Sequence, residues 1–424
     1  FALERKKKSL EKIQIEAFDY NGKDTVKFSK KNFPFDLVAT DFDRVWKKRM
    51  KFDILEDISK LSKNLDSLNQ HFSKLEKTAK AQILESSLCK INNILESKKG
   101  IGYDLQNDFL NIFCSYFDPH TNFFSQDARS SFMSSLTTSG LSLGLNVTLN
   151  ENEEIIIEEV VPGGPAARTN KFEKGDVVLK VSNKKGEDYL VSCTSLDKIG
   201  ELIFSDSNEI IEMTIQKKNG NILDILLKKQ IMKATANAVS SFIVEKGIKI
   251  GYIEIPNFYS DFDGYSPEGC ADDVAKEIIK LKQDNIQGLV IDLQDNGGGS
   301  MEEAIKLAGM FIDYGPVSVL VNSKKKQTIL KDYDRGSIYY GPIVILINGN
   351  SASASEFFSA AMQDYNRAMI VGSTSLGKAS MQTILPLDDN QQDFVKLTVE
   401  RFYRITGKSN QIKGSIPDIA LPIL

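Results

Sequence analysis

From about residue 40 to 100, apolar residues recur at threes and fours, with Leu55, Ile58, Leu61, Leu65 and Leu68 setting the phase and Lys and Glu filling the positions between. That spacing lays an apolar stripe along helices, so the region is predicted to form amphipathic helices whose charged residues make a solvated face. An aromatic-rich helix, YDLQNDFLNIFCSYF, follows and meets a stop signal at Asp118 and Pro119. The period then changes. Between about 138 and 232 the chain reads as short strands, LNVTLN, EIIIEEVV, DVVLKVS, EIIEMTIQKK and ILDILLKK, with one helix candidate around SLDKIGELIF. Beyond 246 strands and helices alternate: IKIGYIEI, a helix at about 271–283, GLVIDL, a helix after GGG, VSVLV, PIVILI, the helix SASEFFSAAMQDY and AMIVG. Such alternation predicts a largely parallel α/β core. The expected organisation is multidomain α+β with joints near 136 and 235: a helical region over 1–135, a β-rich module over 136–234 and an α/β core over 235–424.

Composition narrows the function classes. With 53 Lys plus Arg against 57 Asp plus Glu, the net charge of −4 gives no electrostatic reason to expect nucleic acid, which needs a basic face. No apolar run approaches the ~18 residues of a spanning helix. The chain starts at Phe1 with no apolar segment before ERKKK, so a trimmed or mature form is expected. Cys89, Cys114, Cys193 and Cys270 lie far apart without a C-x-x-C pair, which argues against a zinc cage and a disulfide framework and leaves them as small buried apolar residues. His71 and His120 are the only histidines, so residues 121–424 contain no imidazole.

The candidate chemistry gathers in GNSASASEFFSAAMQDYNRAMIVGSTSLGKASMQ, residues 349–382, directly after the strand PIVILIN. A serine where a buried strand turns into a helix N-terminus has an exposed hydroxyl and free backbone N–H groups that can hold an oxyanion. Equally, Ser353-Ala-Ser-Glu356 fits a capping box, which would make Ser353 a helix cap and nothing more. Lys378 weighs toward chemistry: a desolvated lysine loses its proton nearer neutrality and can act as base for a serine where histidine is absent. GSTSLGKA also matches G-x-x-x-x-G-K of a P-loop. Ala379 stands where magnesium binding wants Ser or Thr, strand-like sequence follows, and too little chain remains for a nucleotide-binding sheet. A second glycine loop, Gly297-Gly298-Gly299, ends the strand GLVIDL before a helix, where it can approach a phosphate or an oxyanion or simply turn the chain. In the β-rich module, Gly144-Leu145-Asn146-Val147 opens a strand whose N–H groups can capture a terminal carboxylate while its edge pairs with an extended peptide.

Taken together, VPGGPAA with KGD, IDLQDNGGG, SASASEFFSAAMQDYNRAMIVG, GK-x-x-x-Q and FYRITGKSNQIKGSIPDI resemble the C-terminal processing peptidases, or tail-specific proteases, which join a PDZ domain to a serine peptidase core. The likeness runs from about DPHTNFF at 118 to GSIPDI at 414, and more loosely through FDRVWKKRMKFDILE to the helical region of the longer periplasmic members. The resemblance implies a peptidase core of the ClpP/crotonase-like type and a PDZ domain at 136–234. It implies Ser353 as nucleophile, Lys378 as base, Gln382 orienting the lysine, Asp364 as a supporting residue, and the N–H groups of Ala354 and of Gly297 or Gly298 as oxyanion donors. It further implies protein C-termini as substrates, an adaptor or self-association through the helical region, no cofactor or nucleotide, and a location in the bacterial periplasm or envelope. Gln294 departs from the usual arginine, Ser373-Thr374 from Glu-Pro and Ala379 from glycine, and long members continue beyond the position of Leu424 into a helical region. The rival of another class is a catalytically silent PDZ scaffold in which Ser353 only caps its helix.

Overall fold

The computed structural model describes the chain except residues 1, 21, 28–38, 61–63, 96–99, 135, 138, 151–153, 195, 206, 234–237, 261–268, 391 and 423–424. Leu61 and the joint expected near 235 fall outside the described residues. The first region contains helices α1 (Ala2–Glu11), α2 (Ala39–Lys60), α3 (Leu65–Gln70), α4 (Phe72–Leu95) and α5 (Ile101–Phe117). Leu10, Ile13, Met50, Ile54, Ile58, Leu68 and Ile91 form its core. Ile58 and Leu68 of the predicted stripe are buried, but Leu55 and Leu65 face solvent. The stripe does not run through one helix: α2 ends at Lys60 and α3 begins afresh at Leu65, with the Asn64 side chain accepting from the N–H groups of Asp66 and Ser67, so the phase restarts. Helix α5 buries no residue and ends at Asp118, as its stop signal predicts.

A short strand, β1 (Asn122–Ser125), and helix α6 (Gln126–Ser134) lead into the β-rich module. This comprises β2 (Ser139–Ser142), β3 (Leu145–Leu149), β4 (Ile155–Val160), α7 (Pro165–Thr169), β5 (Val177–Asn183), β6 (Asp188–Leu190), α8 (Leu196–Phe204), β7 (Ile210–Gln216), β8 (Ile222–Lys228) and β9 (Gln230–Lys233). The antiparallel order is β3-β4-β5-β7-β8, with β6 on β5 and a separate β2-β9 ribbon. Ile157, Val181, Ile211 and Ile215 are its fully buried centre, and β3 lies at the sheet's edge.

One cysteine expectation is overturned. Cys89 on α4 is disulfide-bonded to Cys193, which sits in a short 3-10 turn (Val191–Cys193) of the β-rich module, with Cα atoms 5.8 Å apart. Sequence spacing says nothing about which cysteines meet in space, and the separation of 104 residues hid the pair. Cys270 is buried and free, and Cys114 is free and half-buried.

The third region contains β10 (Ser240–Glu245), β11 (Lys249–Glu254), α9 (Cys270–Gln283), β12 (Gly288–Asp292), α10 (Met301–Gly309), β13 (Gly315–Asn322), β14 (Gln327–Asp332), β15 (Ile343–Ile347), α11 (Ala354–Asp364), β16 (Met369–Gly372), β17 (Ser380–Pro386), β18 (Asp393–Tyr403) and β19 (Ile419–Ala420). One sheet, β10-β11-β12-β15-β16-β19, is parallel apart from β10. The largely parallel expectation holds for it and fails for β13, which joins a second, antiparallel sheet: β1 and β13 pair with opposite ends of β18 along one edge, β17 runs along the other, and β14 extends β13. Strand β1 thus comes from the segment before the β-rich module and is built into the sheet that follows it.

Candidate functional site

Strand β15 is buried between β12 and β16, and its carboxyl end delivers residues 348–353 to the start of α11. Three serines in that turn and the first turn of α11 have different fates. Ser351 is fully buried; its Oγ donates to the Leu293 carbonyl at 2.7 Å and accepts from the Asn348 N–H at 2.9 Å. Ser355, also fully buried, donates from Oγ to the Asn296 carbonyl at 2.9 Å. Both hydroxyls therefore staple the turn to the loop after β12 and are unavailable for chemistry. Ser353 stands between them, half-buried, at φ 56° and ψ −110°. A non-glycine residue on that side of the Ramachandran map is strained and persists only when its surroundings hold it. Part of the hold is visible: Glu356 Oε2 accepts from the Ser353 N–H at 2.9 Å, the carboxylate half of the capping box, while Ser353 Oγ makes no capping hydrogen bond.

The glycine loop after β12 packs directly against this turn. A Cβ on Gly298, at φ 107°, would sit 2.8 Å from Ser353 Cβ, so only glycine fits. The Asn296 carbonyl accepts from the Ala352 N–H at 3.0 Å, and the Gly298 N–H donates to Asn296 Oδ1 at 2.9 Å. Of the expected oxyanion donors, Gly298 thus has its N–H committed inside its own loop, whereas among the described residues those of Gly297 and Ala354 have no intramolecular acceptor.

Glu356 is the residue that joins the site. Fully buried, its carboxylate accepts four hydrogen bonds: Oε2 from the N–H groups of Ser353 and Lys378 (2.8 Å), and Oε1 from Ser375 Oγ (2.6 Å) and the Gly377 N–H (2.8 Å). One oxygen therefore bridges the backbones of Ser353 and Lys378, which lie 25 positions apart in the sequence. Sequence reasoning saw Glu356 only as a cap; the S-x-x-E spacing signalled its bond to Ser353 but not its hold on the lysine loop. The P-loop reading fails here, because the loop's N–H groups already hold this internal carboxylate and strand β17, not a helix, follows.

Burial pushes the Lys378 ammonium below the ordinary lysine value, and the fields of Asp118 and Glu356 offset this only in part. Gln382 does not hydrogen-bond the lysine: its Nε2 donates to Ser380 Oγ at 2.9 Å and to Thr398 Oγ1 at 3.0 Å. The Thr398 hydroxyl in turn donates to Asp118 Oδ2. Asp118, read from sequence as a helix stop, is therefore a neighbour of the site. Asp364 is remote in role: it takes both oxygens to Arg404 and ties the end of α11 to the strand-β18 exit. Ala379, at the position where glycine is usual, is 1% exposed, and its N–H donates to Gln411 Oε1 at 2.7 Å.

In the β-rich module Gly144 has φ 73°, a Cβ there would crowd Gly164 and Pro165, and its N–H donates to Ser142 Oγ at 3.0 Å. Leu145, Asn146 and Val147 pair with β4 on one side only, opposite Val160, Glu159 and Ile157. Among the described residues the other edge of β3 is open, and Val147 and Leu149 are exposed beside it. Asn146 Nδ2 donates to Glu159 Oε2 at 2.8 Å, which turns its side chain toward β4.

Residues 249–421 match the model of peptidase family S41, residues 2–127 the tail specific protease N-terminal domain, and residues 134–193 the PDZ domain. A tail-specific protease of Haemophilus influenzae is 31% identical over 414 residues, covering 95% of this chain and 56% of that protein. A carboxy-terminal-processing protease of Bartonella bacilliformis is 30% identical over 310 residues, covering 72% of this chain and 66% of that protein. The chain thus spans between about half and two thirds of the length of these curated relatives.

Proposed function

Because the chain belongs to the S41 peptidases that carry a tail-specific protease N-terminal domain and a PDZ domain, we propose that it is a serine endopeptidase working through a Ser353–Lys378 dyad on proteins with apolar C-terminal tails. The observation that carries this reading is the shared Glu356 oxygen, which fastens Ser353 and Lys378 together while Ser351 and Ser355 are committed to backbone carbonyls.

In the reaction, neutral Lys378 Nζ removes the Ser353 Oγ proton as Oγ bonds to the scissile carbonyl carbon. The oxyanion lies against the N–H groups of Ala354, at the α11 N-terminus, and Gly297. The lysine ammonium then returns the proton to the leaving amine, and water attacks the acyl-enzyme with Lys378 again as base. Gln382 acts on the lysine through Thr398 and Asp118, and Asp364 supports α11. The β3 edge at Gly144–Val147 takes the substrate tail as an added strand. Because Gly144's N–H is engaged by Ser142, carboxylate capture falls to the N–H groups that follow it. The proposed domains are 1–135, 136–234 and 235–424.

The Cys89–Cys193 disulfide supports a location in an oxidising compartment such as the bacterial envelope. Incubating the chain with an unfolded protein ending in apolar residues should release peptides, with Ser353→Ala releasing none. Equal release by both proteins overturns the assignment of the nucleophile, and binding without cleavage by either turns the chain into a peptide-binding scaffold.

A further inference from the structure

Two loops meet beside the candidate base: 375–379, which carries Lys378, and 409–415, which follows β18. The Ile412 N–H donates to the Gly377 carbonyl at 2.8 Å, the Ser375 N–H to the Ser415 carbonyl at 3.2 Å, the Ser415 N–H to Ser375 Oγ at 2.6 Å and the Ala379 N–H to Gln411 Oε1 at 2.7 Å. A Cβ on Gly377, at φ 93°, would lie 2.9 Å from the Ile412 carbonyl carbon, so the two backbones are in contact there. On its other side the lysine loop is pinned to the nucleophile turn, where the Leu376 N–H donates to the Ser351 carbonyl at 3.0 Å. Leu376 is therefore bonded to the segment that delivers Ser353, and Ile412 to the residue before Lys378.

Neither side chain serves the core: Leu376 is 58% exposed and Ile412 87%. Ile412 also has φ 68°, and among the described non-glycine residues with positive φ it is the one that is β-branched. Its Cβ crowds the backbone in that conformation, which glycine adopts without strain. Single apolar residues scattered over a surface need no explanation. A strained one that buries almost nothing, bonded to the loop of the candidate base and beside a second exposed apolar residue, points to a role outside the fold.

We propose that Leu376 and Ile412 form an apolar lip of the catalytic cleft that seats an aliphatic side chain of the substrate, that of the residue on the carboxyl side of the scissile bond. This rests on the reading of Ser353 and Lys378 as the dyad. In that reaction the lysine returns its proton to the leaving amine, so the residue that supplies the amine passes along the lysine loop, while the acyl side faces the N–H groups of Ala354 and Gly297. An aliphatic side chain laid against the lip removes apolar surface from water on all three partners, whereas a small polar one gains nothing from it. Leu376 and Ile412 are then specificity-determining residues, and they add selection at the cut to selection of the tail.

The test uses the full chain and matched peptides with the same free apolar C-terminus, differing only in whether Leu or Ser follows the cleaved bond, with the cut located by mass spectrometry. The parent should favour Leu by about tenfold in kcat/KM. Leu376→Ser and Ile412→Gly should each reduce that ratio by about threefold or more, and the double variant should bring it close to one, while the preference for the residue before the bond stays as in the parent. Ile412→Gly should fold as the parent does, since glycine suits φ 68°. A Leu-to-Ser ratio unmoved in both single variants overturns the lip, as does a parent without the preference or a loss of selectivity shared equally by both sides of the bond. Ser353→Ala separates this from the underlying reading: cleavage by that variant at the parent rate removes the nucleophile. An inactive Ser353→Ala beside unmoved ratios leaves the dyad standing and removes only the lip.

Discussion

Three serines within five residues share nearly the same sequence surroundings and differ in what their hydroxyls touch. Ser351→Ala leaves the Asn348 N–H without its acceptor and takes one of two donors from the Leu293 carbonyl, which keeps the Asn296 N–H, and should cost about 1–3 kcal/mol of stability. Ser353→Ala removes no capping bond and keeps the same backbone strain, so its stability should stay within about 0.5 kcal/mol of the parent while turnover vanishes. Thermal unfolding and cleavage measured together on the three alanine variants check the assignment; a fully stable, inactive Ser351→Ala beside an active Ser353→Ala would reverse it. Glu356 makes a sharper case. Glu356→Gln turns one of its two accepting oxygens into a donor facing N–H or hydroxyl groups that themselves need acceptors, so it should cost about 3 kcal/mol and lower kcat at least a hundredfold. Activity near normal would show that the bridge does not hold the proposed dyad. The serine segment, the lysine and the glycine loop could be singled out as candidates because their spacing along the chain is local. Glu356's second role and the place of Asp118 were not, because a hydrogen bond spanning 22 or 280 positions leaves no trace in local period.

Elements were read well where the period was strong, and misread where a partner had to be chosen. Strands β3, β4, β5, β7 and β8 and helix α8 fall where alternation and apolar spacing put them, whereas β13 alternates just as well and belongs to a different sheet from its neighbours in sequence. Period two says that a residue run is a strand and which side chains share a face; it does not say which strand lies alongside. The same limit hid β1, a four-residue strand whose partner β18 begins at Asp393. The open edge of β3 has a functional consequence at this scale. If a substrate tail adds to β3 and delivers its terminal carboxylate to the N–H groups after Gly144, amidating the tail removes the anion without changing the side chains. Peptides ending in Ala-Ala or Val-Ala, titrated onto the full Ser353→Ala chain, should lose most of their affinity on amidation. Equal affinity of acid and amide forms would move tail selection away from β3.

Across the whole molecule the three regions are fastened to one another by side chains from distant parts of the sequence. Strand β1 and Asp118 bind the N-terminal region to the peptidase core, and Cys89–Cys193 binds α4 to the β-rich module, with Asn93 Nδ2 donating to Thr194 Oγ1 at 3.3 Å beside it. Lys198 and Asp104 form a further ion pair across the same boundary at 3.6 Å, long and partly exposed, so the pair contributes little. The covalent link is different in kind. It closes a loop of about 100 residues, and in the chain-entropy description such a loop is worth up to about 4.7 kcal/mol, most of it from limiting the unfolded chain. Reduction should therefore lower the unfolding temperature of the parent protein and make the β-rich module easier for an added protease to release. Cys89→Ser and Cys193→Ser should show the lowered temperature already, and adding reductant to either should change nothing more, since Cys114, Cys270 and the cysteine left without its partner have no bond to lose. Cys270 also supplies a control on the reagent: burial raises its thiol well above the ordinary value, so it should resist alkylation in the folded chain. A reductant effect that persists in Cys89→Ser would mean that the stabilising bond lies elsewhere, and an unfolding temperature indifferent to reductant in the parent would mean that α4 and the β-rich module are held by packing alone.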